Sequence, residues 1–80
     1  MRLDKYLKVS RLIKRRTVAN EACDHGLVLV NQKPARASYE VKVGDQISMT
    51  FGARTIVVEV LSVQEQVKQA EATTLYRQIT

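Results

Sequence analysis

Apolar positions change period along this 80-residue chain, first helical and then extended. Between residues 2 and 9, Leu3, Tyr6 and Leu7 recur at helical spacing and share one face. Arg2, Lys5 and Lys8 then project from roughly the opposite side, and Asp4 in the first turn suits the positive end of the helix dipole. A short link over Ser10 to Lys14 follows, with Leu12 and Ile13 as apolar plugs. A second helical run begins at Arg16 to Thr17, where the Thr17 hydroxyl suits an N-cap. Its buried stripe is predicted to be Val18, Ala19, Ala22 and Cys23, and its wet stripe Asn20, Glu21 and Asp24. Gly26 stands where a left-handed residue ends a helix, with His25 in the last turn.

Beyond Gly26 the pattern is extended. "LVLVN" is β-branched and apolar, and "NQKPA" is a turn in which Pro34 stops the strand continuing in register. "YEVKVGDQISMTF" reads as strand, Gly44-Asp45 turn and strand, and "TIVVEVLSV" is the longest strand signal. Residues 64–80 are polar, with Leu75, Tyr76 and Ile79 placed to dock as a helical turn. The expected fold is α+β: two N-terminal helices packed on a small, mostly antiparallel sheet of about four strands. Residues 1–63 form the domain and 64–80 a polar, partly helical C-terminal tail.

Composition narrows this picture. A chain of this length buries roughly 60% of the surface its unfolded form exposes, so the core is modest. With no Trp and one Phe, that core must be aliphatic. Charge is lopsided: seven of the thirteen Lys and Arg residues precede position 17, opposed there by Asp4 alone, whereas residues 41–80 balance. A one-ended positive field favours a polyanion, nucleic acid or an anionic lipid surface. The apolar face of the first helix lacks the Trp and Phe of an interfacial anchor, which puts nucleic acid ahead of lipid. No apolar run approaches the ~20 residues of a membrane span. The lone Cys23 suits a reducing compartment, and a cytoplasmic setting is expected.

Catalytic chemistry finds little here. Cys23 and His25 lie two apart on a helix, a spacing that does not converge on one centre, and no Gly-rich loop follows a strand. No enzyme activity, metal or cofactor is expected. The basic cluster Lys14, Arg15, Arg16 differs, because it falls where the second helix begins. Amides at a helix start carry partial positive charge, and arginine forks grip phosphate in bidentate fashion. Arg2 and Lys5 reach the same side if the two helices pack as a hairpin. Two other readings stay open: a protein-interaction module using the sheet face, and a DNA-binding protein, although no helix carries an evident base-reading face.

The segments "RLDKYL", "SRLIKRRTVANEAC", "HGLVLVNQKPA" and "YEVKVGDQI" occur in the order and spacing of a known family. Over residues 2–48 the chain resembles the S-four-type RNA-binding domain, or αL motif, departing from it mainly in Asn31-Gln32 where Asn-Gly is usual. With "FGARTIVVEV" and "AEATTLYRQI" further on, it is similar to the stand-alone members that stabilise P-site tRNA in bacterial ribosome-associated quality control. It is similar also to the small ribosome-associated heat-shock protein. The resemblance implies a monomeric factor that binds rRNA of the large ribosomal subunit and holds the P-site tRNA. Its implied partner is an alanine-tailing factor of the NEMF/Rqc2 type that extends stalled chains; the heat-shock branch implies recycling of obstructed large subunits instead. Carried onto this sequence, the RNA contacts fall on Arg2 and Arg16, supported by Lys5, Lys14 and Arg15. Asp4 is expected to cap the helix or orient Arg2.

Overall fold

In a computed structural model, which describes residues 1–64 and 75–80, the change of period becomes a change of element. Helices α1 (Leu3–Val9) and α2 (Arg16–Asp24) precede strands β1 (Val28–Val30), β2 (Lys33–Pro34), β3 (Gln46–Phe51), β4 (Arg54–Val60) and β5 (Tyr76–Gln78). The strands form one antiparallel sheet in the order β2-β1-β3-β4-β5. The α+β class therefore holds, with five strands among the described residues rather than about four.

The α1 face bearing Leu3, Tyr6 and Leu7 is fully buried, as its spacing predicts. No side chain caps α1 with a bond to its own first turn from Arg2. A loop does so instead: the amides of Leu3 and Asp4 donate to the carbonyls of Tyr39 (2.8 Å) and Ala37 (3.1 Å). Orphan amides at a helix start need such acceptors, and these two fix residues 37–39 against α1. The same requirement overturns the strand expected over "YEVKV". That segment makes an isolated bridge from Glu40 to Arg2 and a Val41 amide bond to the Met1 carbonyl (2.9 Å), while Val41 plugs the core.

Helix α2 starts at Arg16 as expected, but Arg15 is its extended N-cap residue and no side chain caps it. Thr17 therefore lies inside the first turn, not at the cap. Ala19, Ala22 and Cys23 are buried, whereas Val18 is 44% exposed, which corrects the predicted stripe. Val18 falls at the edge of the apolar arc, and small residues at 19, 22 and 23 already fill the contact with α1. The helix ends as its glycine predicts. Gly26 adopts φ +71°, its amide reaches the Cys23 carbonyl (3.0 Å), and that of Leu27 reaches Ala22 (2.9 Å), a Schellman closure.

Asn31 and Gln32 both have positive φ (52° and 70°), the signature of a two-residue type I′ hairpin turn. The chain thus doubles back where Pro34 was expected to end the strand, pairing Leu29 with Pro34 and Val30 with Lys33. Pro34 is tolerated because β2 is a sheet edge. Asp45 then locks this corner. Its buried carboxylate accepts from Tyr39 Oη (2.8 Å), the Lys42 amide (3.0 Å) and Asn31 Nδ2 (3.1 Å), while Asn31 Oδ1 accepts from the Gln46 amide (3.0 Å).

Side chains of Val28, Val30, Ile47, Met49, Val58 and Val60 line the covered face of the sheet. The helical turn expected of Leu75, Tyr76 and Ile79 is replaced by an edge strand, with Tyr76 paired to Val60 and Arg77 to Glu59. Leu75 is fully buried, and its carbonyl accepts from the Tyr6 hydroxyl at 2.7 Å. The remainder of the expected helical tail, residues 65–74, lies outside the described residues.

Candidate nucleic-acid interface

Packing α1 against α2 brings Arg2 and Arg16, fourteen positions apart, onto one carboxylate. Arg2 donates to Asp4 through Nε (3.2 Å to Oδ1) and Nη2 (3.4 Å to Oδ2). Arg16 reaches both oxygens as well, through Nη2 (3.4 Å to Oδ1) and Nε (3.3 Å to Oδ2). Asn20, one turn beyond Arg16 and so on the same side of α2, donates to Asp4 Oδ2 (3.4 Å). The Lys5 amide completes the set at 2.8 Å. The Asp4 side chain is 3% exposed, yet those of Arg2 and Arg16 are 49% and 44% exposed.

Burial pushes the Asp4 carboxyl up, but the bonds from Arg16, Asn20, Arg2 and the Lys5 amide outweigh it and hold the group below its usual value. The carboxylate is therefore ionised at neutral pH and sits beneath two cations, so the cluster keeps a net positive charge facing outward. A guanidinium has five N–H donors, and Asp4 occupies only part of each fork at rather long distances. What remains is aimed at solvent in a fixed orientation, which suits phosphate oxygens.

The other predicted residues surround this centre unevenly. Lys14 and Arg15 are exposed on the link and at the start of α2, and Lys5 is half-buried on α1. Two open clefts adjoin the cluster. One, of about 400 Å³, lies against Arg16, Thr17 and Asn20. Its neighbour, of about 480 Å³, shares Asn20 and is lined by Arg2, Arg36 and Ser38, with Asp24 at the edge. Cys23 is buried, and burial together with the Asp4 and Asp24 carboxylates pushes its thiol up to about 11, the reverse of activation. Among the described residues no group of three or more His, Cys, Asp or Glu side chains is placed to hold a metal ion, and no helix is long and apolar enough to cross a membrane.

Residues 1–47, which include both helices and the Asp4 cluster, match the model of the S4 domain. Over 76 residues the chain is 53% identical to the RQC P-site tRNA stabilizing factor of Halalkalibacterium halodurans, covering 95% of this chain and 86% of that protein. It is 47% identical to the factor of the same name from Bacillus subtilis, over 95% of this chain and 88% of that one. The chain belongs to the S4-domain family of RQC P-site tRNA stabilizing factors. The structure of Vibrio cholerae Heat Shock Protein 15, described as trimeric, superposes on this S4 protein with a TM-score of 0.90 at 32% identity, covering 98% of this chain and 80% of that one.

Within this S4 chain the sequence pointed to the two arginines but missed their neighbours. Asn20 was placed on the wet stripe, although its position one turn after Arg16 was a signal that both face α1. Arg36 and Ser38 carried no periodic signal. They reach the site because the loop around them supplies carbonyls to the first turn of α1.

Proposed function

We propose that this protein binds folded RNA without catalysis, gripping rRNA of the large ribosomal subunit and stabilising peptidyl-tRNA in the P site during C-terminal alanine tailing of stalled chains. The observation that carries the reading is the bidentate hold of one buried carboxylate on Arg2 and Arg16, both half exposed. Structured RNA is gripped mostly through phosphates, 2′-hydroxyls and shape, and a pre-oriented pair of forks serves that mode without reading bases. Lys5, Lys14 and Arg15 add local positive potential. A surface complementary to correctly seated tRNA shifts the population toward that state, and an alanine-tailing partner of the NEMF/Rqc2 type then elongates productively. The names of the closely similar Halalkalibacterium and Bacillus proteins support this assignment. The factor acts as a cytoplasmic monomer.

Co-sedimentation with purified large subunits tests it. Arg16→Ala is expected to weaken binding by about tenfold and to flatten the dependence of log K on log salt by about 1, the signature of one lost phosphate contact. The variant should remain folded, since Asp4 keeps three of its donors. Undiminished co-sedimentation of Arg16→Ala overturns the reading.

The likeness to Heat Shock Protein 15 favours a second reading, recycling of obstructed large subunits without tailing. Deleting the gene and measuring alanine tails on a stalled reporter separates the two: loss of tails supports tailing, and unchanged tails support recycling.

A further inference from the structure

The positive surface does not stop at Arg2. The cleft that Arg2 shares with Arg36 and Ser38 is bounded by those two loop residues, and they also line a third cleft on their far side, of about 600 Å³. This third cleft differs from the other two in its walls: Val30, Pro34 and the ring of Tyr39, with Lys33 and Arg36 supplying charge. Its shape is fixed by bonds already described. The Tyr39 hydroxyl is tied to Asp45, and the Ala37 and Tyr39 carbonyls are tied to α1. The Arg36 guanidinium is exposed and makes no hydrogen bond or ion pair among the described residues. A cation without a partner among the described residues, a fixed aromatic ring and an apolar floor, continuous with a phosphate-gripping surface, are what an unstacked nucleotide requires.

We propose that this cleft holds an unpaired RNA nucleotide, with its phosphate on Arg36 and its base against Pro34 and Tyr39. The inference rests on the RNA-binding reading above and extends it. One strand leaves the Arg2–Arg16 grip, crosses the loop at Arg36 and Ser38, and places its next unpaired base in the apolar cleft. Charge complementarity and continuity favour RNA over a peptide, because the cleft rim carries Lys33 and Arg36.

Fluorescence anisotropy with two labelled RNAs tests this: a blunt duplex, and the same duplex with a single-stranded extension of about five nucleotides. Wild-type protein is expected to bind the extended RNA about fivefold more tightly or better, the gain of one base–aromatic stack. Arg36→Ala should bring the ratio of the two affinities to about one, whatever it does to the blunt duplex, and Arg54→Ala at the start of β4 should change neither affinity. Equal affinity of the wild-type protein for both RNAs, binding to neither, or a preference that survives Arg36→Ala overturns the proposal. If Arg16→Ala leaves both affinities intact while the Arg36-dependent preference persists, the Arg2–Arg16 reading fails and the cleft stands.

Discussion

Asp4 and Asp45 are the two buried carboxylates among the described residues, and they differ in what surrounds them. Asp45 takes its bonds from a phenol, a carboxamide and a backbone amide, all neutral and all anchored in secondary structure or tight turns. Asp4 takes most of its bonds from side chains that reach in from half-exposed positions, two of them cationic. The first arrangement closes a corner of the fold. The second fixes the direction of charges that remain available to a ligand. A buried acid therefore serves structure or recognition according to whether its donors end at it or continue past it into water.

Removing each carboxylate should expose that difference. Asp45→Ala leaves three donors without their acceptor in a confined site and is expected to destabilise the protein by about 2–4 kcal/mol in urea denaturation. Asp4→Ala should cost about half as much, since its partners can turn to water, yet weaken RNA binding more than Asp45→Ala does at temperatures where both are folded. Equal losses of stability and affinity in the two variants would erase the contrast.

Acid sharpens it further. Burial raises both carboxyls, and hydrogen bonds more than offset it, so both titrate below the ordinary 3.8. Their stabilisation is then fully present above the unfolded value and is lost as pH falls through the lower folded values. Chemical denaturation from about pH 5 to about pH 2 should show stability declining over that range, with the decline shallower in Asp45→Ala than in the parent.

Smaller effects test the local readings. Gln32→Gly relieves a left-handed side chain in the β1–β2 turn and should stabilise by about 0.5–1 kcal/mol. Val18→Asp, ruinous if Val18 were core, should change stability by less than about 0.5 kcal/mol, because the residue is exposed near the start of α2. Unfolding of that variant would restore the stripe read from periodicity.

How much was legible follows from which signals are local. Leu3, Tyr6 and Leu7 repeat at one period, Gly26 ends a helix by its own backbone freedom, and "TIVVEV" is apolar enough to be a strand in most contexts. The meeting of Arg2 and Arg16 was legible as a consequence of a helical hairpin. By contrast, β2 was hidden because Gln32 does not announce a type I′ turn and Pro34 announces a break. Residues 39–43 alternate like a strand but are drawn to α1, whose uncapped Leu3 amide takes the Tyr39 carbonyl. Residues 75–79 fit helix and strand spacing equally, and the choice is made by Leu61, Glu59 and Tyr6, which are remote in sequence. Arg36 was invisible for the same reason: its place beside Arg2 depends on a loop crossing a helix end.

The bond from Tyr6 to Leu75 joins the first helix to the residue that leads into β5 across 69 positions. A chain emerging from the ribosome that makes it therefore carries both arginines long before it can seal its interior. The phenol waits for its acceptor, and the slot for Leu75 stays open, until residue 75 itself has been made.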